Sequence, residues 1–143
     1  MNACIIDDEW ICRLIFKKLL ERTAPGSKLT QFDNGQDAIE FISESQSRPD
    51  SLPELIFLDI NMPVANGWQF LDLLPAHKPD EYNPVIYMAT SSPDPDDLDR
   101  SKTYPAITGY LQKPVTQAML EVIFQDLGNC QTAWTVIHNG SMP

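Results

Sequence analysis

The sequence feature that most constrains the fold is a continuous apolar run, Leu-Ile-Phe-Leu at residues 55–58, which ends on the acid Asp59. A short run without polar alternation is typical of a strand buried on both faces, as strands of parallel sheets are. The turn residues Asn61, Met62 and Pro63 follow it. A carboxylate at the carboxyl end of such a strand lies where α/β proteins bind ligands. Asp59 is therefore either a metal ligand or a nucleophile, and the run alone does not decide between them.

Apolar segments typical of strands alternate with amphipathic segments along the rest of the chain. The predicted strands are residues 3–6, 28–32, 55–59, 85–89 and 108–111, and the predicted helices are residues 11–20, 38–42, 67–74, 96–104 and 116–127. The helical segments carry apolar residues at three- and four-residue spacing. The third helix is expected to stop near Pro75, because proline breaks helices. Five strand–helix pairs in succession predict an α/β fold, a doubly wound five-stranded parallel sheet with five helices on its faces.

The length of 143 residues predicts one domain with a substantial core. We expect this domain to cover residues 1–127. The tail, residues 128–143, is too short to form a second domain. Its apolar cluster of Trp134, Val136 and Ile137 favours docking of the tail on the domain. No output domain is therefore expected.

The composition argues against several classes of partner and location. A net charge of −10 disfavours binding to nucleic acid or to an anionic membrane. No apolar run approaches the ~18 residues of a transmembrane helix, and no basic region precedes the first apolar segment as in a signal peptide. Cys4, Cys12 and Cys130 are odd in number and form no C-x-x-C pair, which is typical of reduced thiols. We therefore expect a soluble, cytoplasmic protein that contacts neither nucleic acid nor membrane.

Chemically active side chains gather at the predicted strand ends. Asp7 and Asp8 follow the first strand, Asp59 ends the third, Thr90 ends the fourth and Lys113 follows the fifth. Carboxyl ends of parallel strands share one edge of the sheet, and three carboxylates there repel one another unless a cation neutralises them. Oxygen ligands favour Mg²⁺, which leaves room for a phosphate. A lysine and a hydroxyl opposite the metal are suited to phosphoryl oxygens. The residues therefore predict a magnesium-assisted phosphoryl-transfer site.

At these positions the chain closely resembles the receiver domain of two-component response regulators, over roughly residues 2–127. The matching pieces are Asp7-Asp8-Glu9, Asp59-Ile60-Asn61-Met62-Pro63, Gly67, Met88-Ala89-Thr90-Ser91 and Gly109-Tyr110-Leu111-Gln112-Lys113-Pro114. Each piece alone is weak, but all of them in order at strand ends are specific. The resemblance implies the flavodoxin-like strand order 2-1-3-4-5.

The resemblance also implies roles for the polar residues. Asp59 would accept a phosphoryl group from a phosphohistidine on a sensor histidine kinase or a phosphotransfer protein. Asp7, Asp8, Asp59 and the backbone carbonyl of Asn61 would bind Mg²⁺, with Mn²⁺ as a substitute. Lys113 would contact the phosphoryl group.

The same resemblance implies a switch and an output surface. The peptide bond before Pro114 would be cis. Thr90 would move to bond a phosphoryl oxygen, and Tyr110 would rotate inward behind it. The face made by the fourth helix, fifth strand and fifth helix would then bind an output protein of unknown identity. A buried tyrosine is also common as core filler, so Tyr110 keeps that alternative.

Three functional hypotheses remain open. The leading one is a stand-alone signalling receiver, which is not an enzyme beyond its own phosphorylation and dephosphorylation. The second is a magnesium-dependent phosphohydrolase with an aspartyl-phosphate intermediate. Such enzymes need a second acid two residues after the nucleophile, where this chain has Asn61. The third is a receiver that forms part of a larger regulator or hybrid kinase.

Overall fold

The structure, a computed structural model, describes residues 1–62, 64–91, 94–128 and 135–137. The strands are β1 (Asn2–Ile6), β2 (Lys28–Phe32), β3 (Leu55–Asp59), β4 (Val85–Thr90), β5 (Ile107–Gln112) and β6 (Thr135–Ile137). The helices are α1 (Trp10–Thr23), α2 (Gly35–Glu44), α3 (Gly67–His77), α4 (Pro95–Ser101) and α5 (Gln117–Gly128), and a short 3-10 turn covers Pro49–Ser51. No helix among the described residues is long and apolar enough to cross a membrane.

All described strands pair in parallel, in the order β2-β1-β3-β4-β5-β6. The central position of β3 explains its sequence, because every residue from Leu55 to Asp59 is buried. The edge strand β2 has no fully buried residue. The α/β architecture, its five helices and the order of the first five strands are confirmed.

The prediction of a five-stranded sheet is wrong by one strand. Residues Thr135–Ile137 form β6 and pair with β5, with Tyr110 opposite Val136 and Leu111 opposite Ile137. The added strand covers backbone groups of β5 that would otherwise form an open edge. Three residues are too few for a periodic pattern, so the sequence predicted docking of the apolar cluster but no strand. Pro63, Ser92, Cys130 and Trp134 lie outside the described residues.

Two apolar layers enclose the sheet. On one face α1 and α5 pack over a cluster that includes Phe16, Leu120 and Ile123. On the other face α2 and α3 cover a cluster that includes Ile39 and Leu71. The two layers cover the faces of the central strands, and the loops after β1, β3, β4 and β5 emerge at the carboxyl edge of the sheet.

The carboxyl ends of α3 and α4 are not where the sequence predicts them. Helix α3 continues past Pro75 to His77, because the last turn is closed by the Lys78 N–H, which donates to the Leu74 carbonyl at 3.0 Å. Pro75 cannot donate to the carbonyl four residues before it, so the bond from Lys78 holds the turn that follows. Helix α4 ends at Ser101 rather than at residue 104.

Candidate functional site

The two central strands place a pair of acids side by side. Ile6 of β1 pairs with Leu58 of β3, and each strand continues directly into an acid, Asp7 and Asp59. The backbone N–H of Asp7 donates to the Phe32 carbonyl at 3.0 Å, which holds the loop against β2. Asp7 is 2% exposed and Asp59 is 6% exposed. Both carboxyl groups are therefore held inside the molecule by the sheet itself.

Lys113 supplies the positive charge at this pair. Its Nζ lies 2.6 Å from Asp7 Oδ2 and 3.4 Å from Asp59 Oδ1. Its backbone N–H donates to the Thr90 carbonyl at 2.8 Å, which fixes the loop after β5 to the end of β4. The peptide bond between Lys113 and Pro114 is cis. One lysine thus bridges the two buried acids.

Burial and charge set the protonation of these groups. Burial raises the pKa of Asp59 to about 7; Lys113 opposes this rise, and the neighbouring charge of Asp7 adds to it. Burial alone would lower the pKa of Lys113, but the hydrogen bond and charge of Asp7 raise it above its usual value. The lysine is therefore a permanent cation, whereas Asp59 is a carboxylate whose charge is destabilised by its surroundings.

The acids also meet the requirements of a hard metal ion. Ligand oxygens of Asp7, Asp8 and Asp59 lie within 4.8 Å of one another. Asp8 is exposed while the other two are buried, so the cluster has one side open to solvent. Three carboxylates without a nitrogen or sulfur donor suit Mg²⁺ and leave positions for water and phosphate. The residues present therefore fit the predicted ion, and the exposed Asn61 lies two residues after Asp59.

Two glycines hold the loop after β3 in place. The Gly67 N–H donates to the Ile60 carbonyl at 2.9 Å, and the Gly35 N–H donates to the Ala65 carbonyl at 3.1 Å. A Cβ on Gly67 would lie 2.7 Å from the Asp59 carbonyl oxygen, and one on Gly35 would lie 2.7 Å from that of Ala65. Such approaches are possible only without a side chain. The family resemblance identified Gly67, and Gly35 belongs to a turn sequence, but nothing in the sequence predicted the contact of Gly35 with Ala65.

Thr90 and Tyr110 are both buried beside the site. Thr90 ends β4 and is 1% exposed, and Tyr110 in β5 is 3% exposed. No described residue has good hydrogen-bond geometry with the Tyr110 hydroxyl. Burial and the charges of Asp97 and Asp94 raise the pKa of Tyr110 to about 12, while the nearby Thr90 side chain acts weakly in the opposite direction. Tyr110 therefore occupies an inward position in this structure.

A cavity of about 260 Å³ opens next to the acids, under the first turns of α1. Its walls are mainly apolar, and they include Ile5, Ile15, Phe16, Phe57, Pro114 and Val115. Cys12 lies at this cavity, where burial and then the charge of Asp7 raise the pKa of its thiol. Sequence reasoning missed this arrangement, although Glu9 and Cys12 are spaced as neighbours on one helical face.

Arg13 is another residue that sequence reasoning missed. Its Nη1 donates to the Asp7 carbonyl at 2.6 Å, so it stabilises the loop that carries the acids. The apolar pattern of α1 gave no signal for this contact. The site residues that the sequence predicted all lie at or beside the carboxyl edge of the sheet. They are Asp7, Asp8, Asp59, Asn61, Thr90, Tyr110 and Lys113.

Comparison with known proteins agrees with the family resemblance seen in the sequence. The model of the response regulator receiver domain family matches residues 3–125. The sensory transduction protein LytT of Bacillus cereus is 34% identical over 91 residues, which are 64% of this chain and 33% of that protein. This chain therefore matches about one third of the length of that relative.

Solved structures share the fold. A two-component response regulator from Cytophaga hutchinsonii has a TM-score of 0.80 and 26% identity, over 90% of this chain and 96% of that one. The receiver domain of the sensor histidine kinase PA1611 from Pseudomonas aeruginosa, solved with magnesium coordinated in its active-site cleft, has a TM-score of 0.70 and 18% identity. The second comparison covers 87% of this chain and 93% of that one, and it shows the fold alone.

The family match therefore extends over β1 to α5, and that region holds the paired acids, the bridging lysine and the buried threonine. The resemblance found in the sequence is confirmed. This chain belongs to the response regulator receiver domain family.

Proposed function

We propose that this receiver accepts a phosphoryl group on Asp59, in a reaction that requires Mg²⁺. The observation that carries the proposal is the pairing of Asp59 with Lys113 at 3.4 Å inside a cluster of three carboxylates. A carboxylate that burial destabilises, held beside a fixed cation, is suited to attack an electrophilic phosphorus atom. The donor would be a phosphohistidine on a sensor histidine kinase or a phosphotransfer protein, since members of this family work with such kinases.

The transfer exchanges one bond for another. An Asp59 carboxylate oxygen forms a P–O bond as the P–N bond to the donor histidine breaks, and the leaving imidazole keeps the electron pair and takes up a proton. Lys113 stabilises the negative charge of the phosphoryl oxygens and keeps its proton throughout, because its pKa is raised. Asp7 holds Lys113 in position through their 2.6 Å contact.

Asp7, Asp8, Asp59 and the carbonyl of Asn61 would hold Mg²⁺, or Mn²⁺ in its place. The ion would offset the repulsion between the acids and the incoming phosphoryl group. The close approach of the three carboxylates supports this assignment, as does the magnesium in the cleft of the PA1611 receiver domain. We therefore expect phosphorylation to stop when divalent ions are chelated.

The signalling step would follow from Thr90 and Tyr110. The Thr90 hydroxyl would donate to an oxygen of a phosphoryl group on Asp59, and Tyr110 is already buried in the inward position. The surface of α4, β5 and α5 would carry the change to an output protein. We assign the chain to stand-alone signalling in the cytoplasm, with no partner among nucleic acids or membranes, as the net charge of −10 supports.

The direct test is incubation with acetyl phosphate and Mg²⁺, followed by intact-protein mass spectrometry. We expect wild-type protein to gain one phosphoryl group and Asp59→Asn to gain none. Asp80→Asn is a matched control, because Asp80 is an exposed acid in the loop before β4, and it should be labelled like wild type. Equal labelling of Asp59→Asn would refute the assignment of the acceptor.

We do not expect turnover of external phosphate esters. The position two residues after Asp59 is Asn61, which cannot act as the general acid and base of an aspartyl-phosphate phosphohydrolase. The chain would then catalyse only its own phosphorylation and dephosphorylation. Hydrolysis of p-nitrophenyl phosphate over many turnovers, lost in Asp59→Asn, would instead establish an enzyme.

A further inference from the structure

The last strand of the sheet, β6, contributes to both apolar layers although it has only three residues. Val136 is partly buried and packs against the layer under α2 and α3. Ile137 is 2% exposed and belongs to the layer under α1 and α5. Because successive side chains of a strand point to opposite faces, each layer receives one side chain from β6. The strand is therefore anchored on both faces of the sheet.

Tyr110 of β5 lies between two paired residues on one face of the sheet. Its partner in β4 is Met88, and its partner in β6 is Val136. Met88 and Tyr110 belong to the same apolar layer, and Val136 packs against that layer. Neighbouring strands lie about 4.8 Å apart, so paired side chains on one face contact each other. Without β6, the Val136 side of Tyr110 would be the open edge of the sheet.

The buried position of Tyr110 depends on packing. The residue is 3% exposed, but its hydroxyl has no hydrogen-bond partner of good geometry among the described residues. Burying a hydroxyl without a partner costs free energy, so hydrogen bonding does not hold this side chain inward. In a strand at the edge of a sheet, the ring could turn outward and place its hydroxyl in water. Contacts with the ring must therefore offset the cost of the inward position.

Val136 is suited to provide these contacts on the side of the edge. Valine is branched at Cβ, so its side chain has few rotamers and is stiff. The backbone of β6 is held by its pairing with β5, and the next residue, Ile137, is buried. Val136 therefore occupies the space beside β5 into which the ring of Tyr110 would turn.

The strand that carries Tyr110 also leads to the site. Lys113 directly follows β5, and its backbone N–H donates to the Thr90 carbonyl at 2.8 Å. The Thr90 side chain lies near the Tyr110 hydroxyl. The position of the ring therefore affects the surroundings of the hydroxyl that would bond a phosphoryl oxygen.

We propose that Val136 is a positioning residue, which holds Tyr110 in the inward position before any phosphoryl group is bound. The effect on Tyr110 does not depend on the phosphoacceptor. A second effect rests on the function proposed above, in which phosphorylation of Asp59 requires the inward ring. A ligand binds more weakly when the competent conformation is less populated. Loss of the Val136 side chain should therefore weaken the binding of a phosphoryl analogue at Asp59.

Fluorine NMR of the full chain labelled with 3-fluorotyrosine measures the position of the ring. The signal of Tyr110 is identified by its absence in Tyr110→Phe. Without divalent ions or phosphodonor, we expect Val136→Ala to move this signal toward that of a solvent-exposed fluorotyrosine. Val136→Ile keeps the branched side chain and should retain the wild-type signal. Ile137→Val is the matched control, because it trims the same strand on the opposite face, and it should also retain the signal.

Titration with beryllofluoride and Mg²⁺, followed by tryptophan fluorescence, measures the effect on the site. We expect Val136→Ala to raise the dissociation constant of beryllofluoride by about three- to tenfold, and Ile137→Val to change it by less than about twofold. Tyr110→Leu keeps an apolar side chain but removes the ring. Adding Val136→Ala to Tyr110→Leu should have no further effect, because the valine acts through the ring.

Three results would overturn the proposal. The first is a wild-type Tyr110 signal in Val136→Ala. The second is an equal shift of that signal in Val136→Ala and Ile137→Val, which would show that β6 only stabilises the fold. The third is an unchanged affinity of Val136→Ala for beryllofluoride. A wild-type chain that binds no beryllofluoride would instead refute the function proposed for Asp59, and the fluorine signal would still decide the role of Val136.

Discussion

The interior of the central strands and their carboxyl edge bury their residues equally but with opposite energetic effect. Leu58 is 0% exposed and the next residue, Asp59, is 6% exposed. Burying the leucine removes apolar surface from water and stabilises the fold. Burying the carboxylate costs free energy, and the raised pKa of Asp59 records that cost. The proposed phosphoacceptor therefore lies at the point of the strand where burying a side chain costs free energy instead of contributing it.

The same contrast appears across the pairing of β1 with β3. Ile6 and Leu58 are partners in the apolar layer, while the adjoining acids share Lys113 as their cation. The apolar part of each strand therefore provides the stability that offsets the free-energy cost of burying the acidic end. Substitutions on the two sides of this boundary should therefore change stability in opposite directions.

The largest effect is expected from Leu58→Ala. The truncation leaves a cavity in a fully buried layer and should lower the free energy of unfolding by about 3 kcal/mol. Urea denaturation followed by circular dichroism measures it. Leu14→Ala is the control, because Leu14 is 40% exposed and should cost much less. A loss below about 1 kcal/mol for Leu58→Ala would contradict the role given to β3.

Removing the shared cation should have the next largest effect. Lys113→Met keeps the length of the side chain but leaves two buried acids without a positive partner, so we expect a loss of about 1–3 kcal/mol at pH 8. The loss should shrink when Asp59→Asn is added, because only one acid then remains uncompensated. Additive effects of the two substitutions would show that Lys113 and Asp59 are not coupled.

Replacing the acid itself should stabilise the protein when divalent ions are absent. The folded chain holds the Asp59 proton more tightly than the unfolded chain, with a pKa of about 7 against an ordinary value of 3.8. The protonated Asp59 carboxyl therefore makes its full contribution to the free energy of unfolding below pH 4, and this contribution is lost as the pH rises through 7. Asp59→Asn should raise the free energy of unfolding by about 1–2 kcal/mol at pH 8, allowing for solvent screening.

The gain from Asp59→Asn should vanish near pH 4, and Mg²⁺ should reduce it at pH 8, because the ion stabilises only the wild-type site. Thermal unfolding at the two pH values, with and without Mg²⁺, measures both effects. A variant less stable than wild type at pH 8 would show that Asp59 contributes to folding rather than opposing it.

The smallest effect is expected from Tyr110→Phe. Among the residues that the structure describes, the Tyr110 hydroxyl is buried without a hydrogen-bond partner of good geometry, so its removal should change the free energy of unfolding by less than about 0.5 kcal/mol. Tyr82→Phe is the control, because the Tyr82 hydroxyl donates to the Pro53 carbonyl and its loss should cost about 1 kcal/mol. Equal losses would indicate that the Tyr110 hydroxyl has a partner in solution.

The sequence predicted the parts of this molecule that follow from periodicity and from sheet geometry. The run of Leu55 to Leu58 identified a buried strand, and parallel pairing placed Asp7 and Asp59 on the same edge of the sheet. That β1 and β3 are neighbours followed only from the strand order that the family resemblance implied. Lys113 could be placed there because it directly follows β5.

Other parts depend on contacts that leave no local pattern. Strand β6 is three residues long and is stabilised only by pairing with β5. The close approach of Gly35 to Ala65 and the contact of Arg13 with the Asp7 carbonyl join segments that no periodicity connects. The turn beyond Pro75 forms because Lys78 closes it. Long-range packing decided each of these features.

The most direct test of the central claim is to locate the phosphoryl group chemically. After treatment with acetyl phosphate and Mg²⁺, borohydride reduces an aspartyl phosphate to homoserine, and peptide mass spectrometry then finds the modified residue. We expect homoserine at position 59, and none when Mg²⁺ is chelated before the phosphodonor is added. Homoserine at another acid, or at position 59 regardless of chelation, would contradict the account of a magnesium-dependent receiver that is phosphorylated on Asp59.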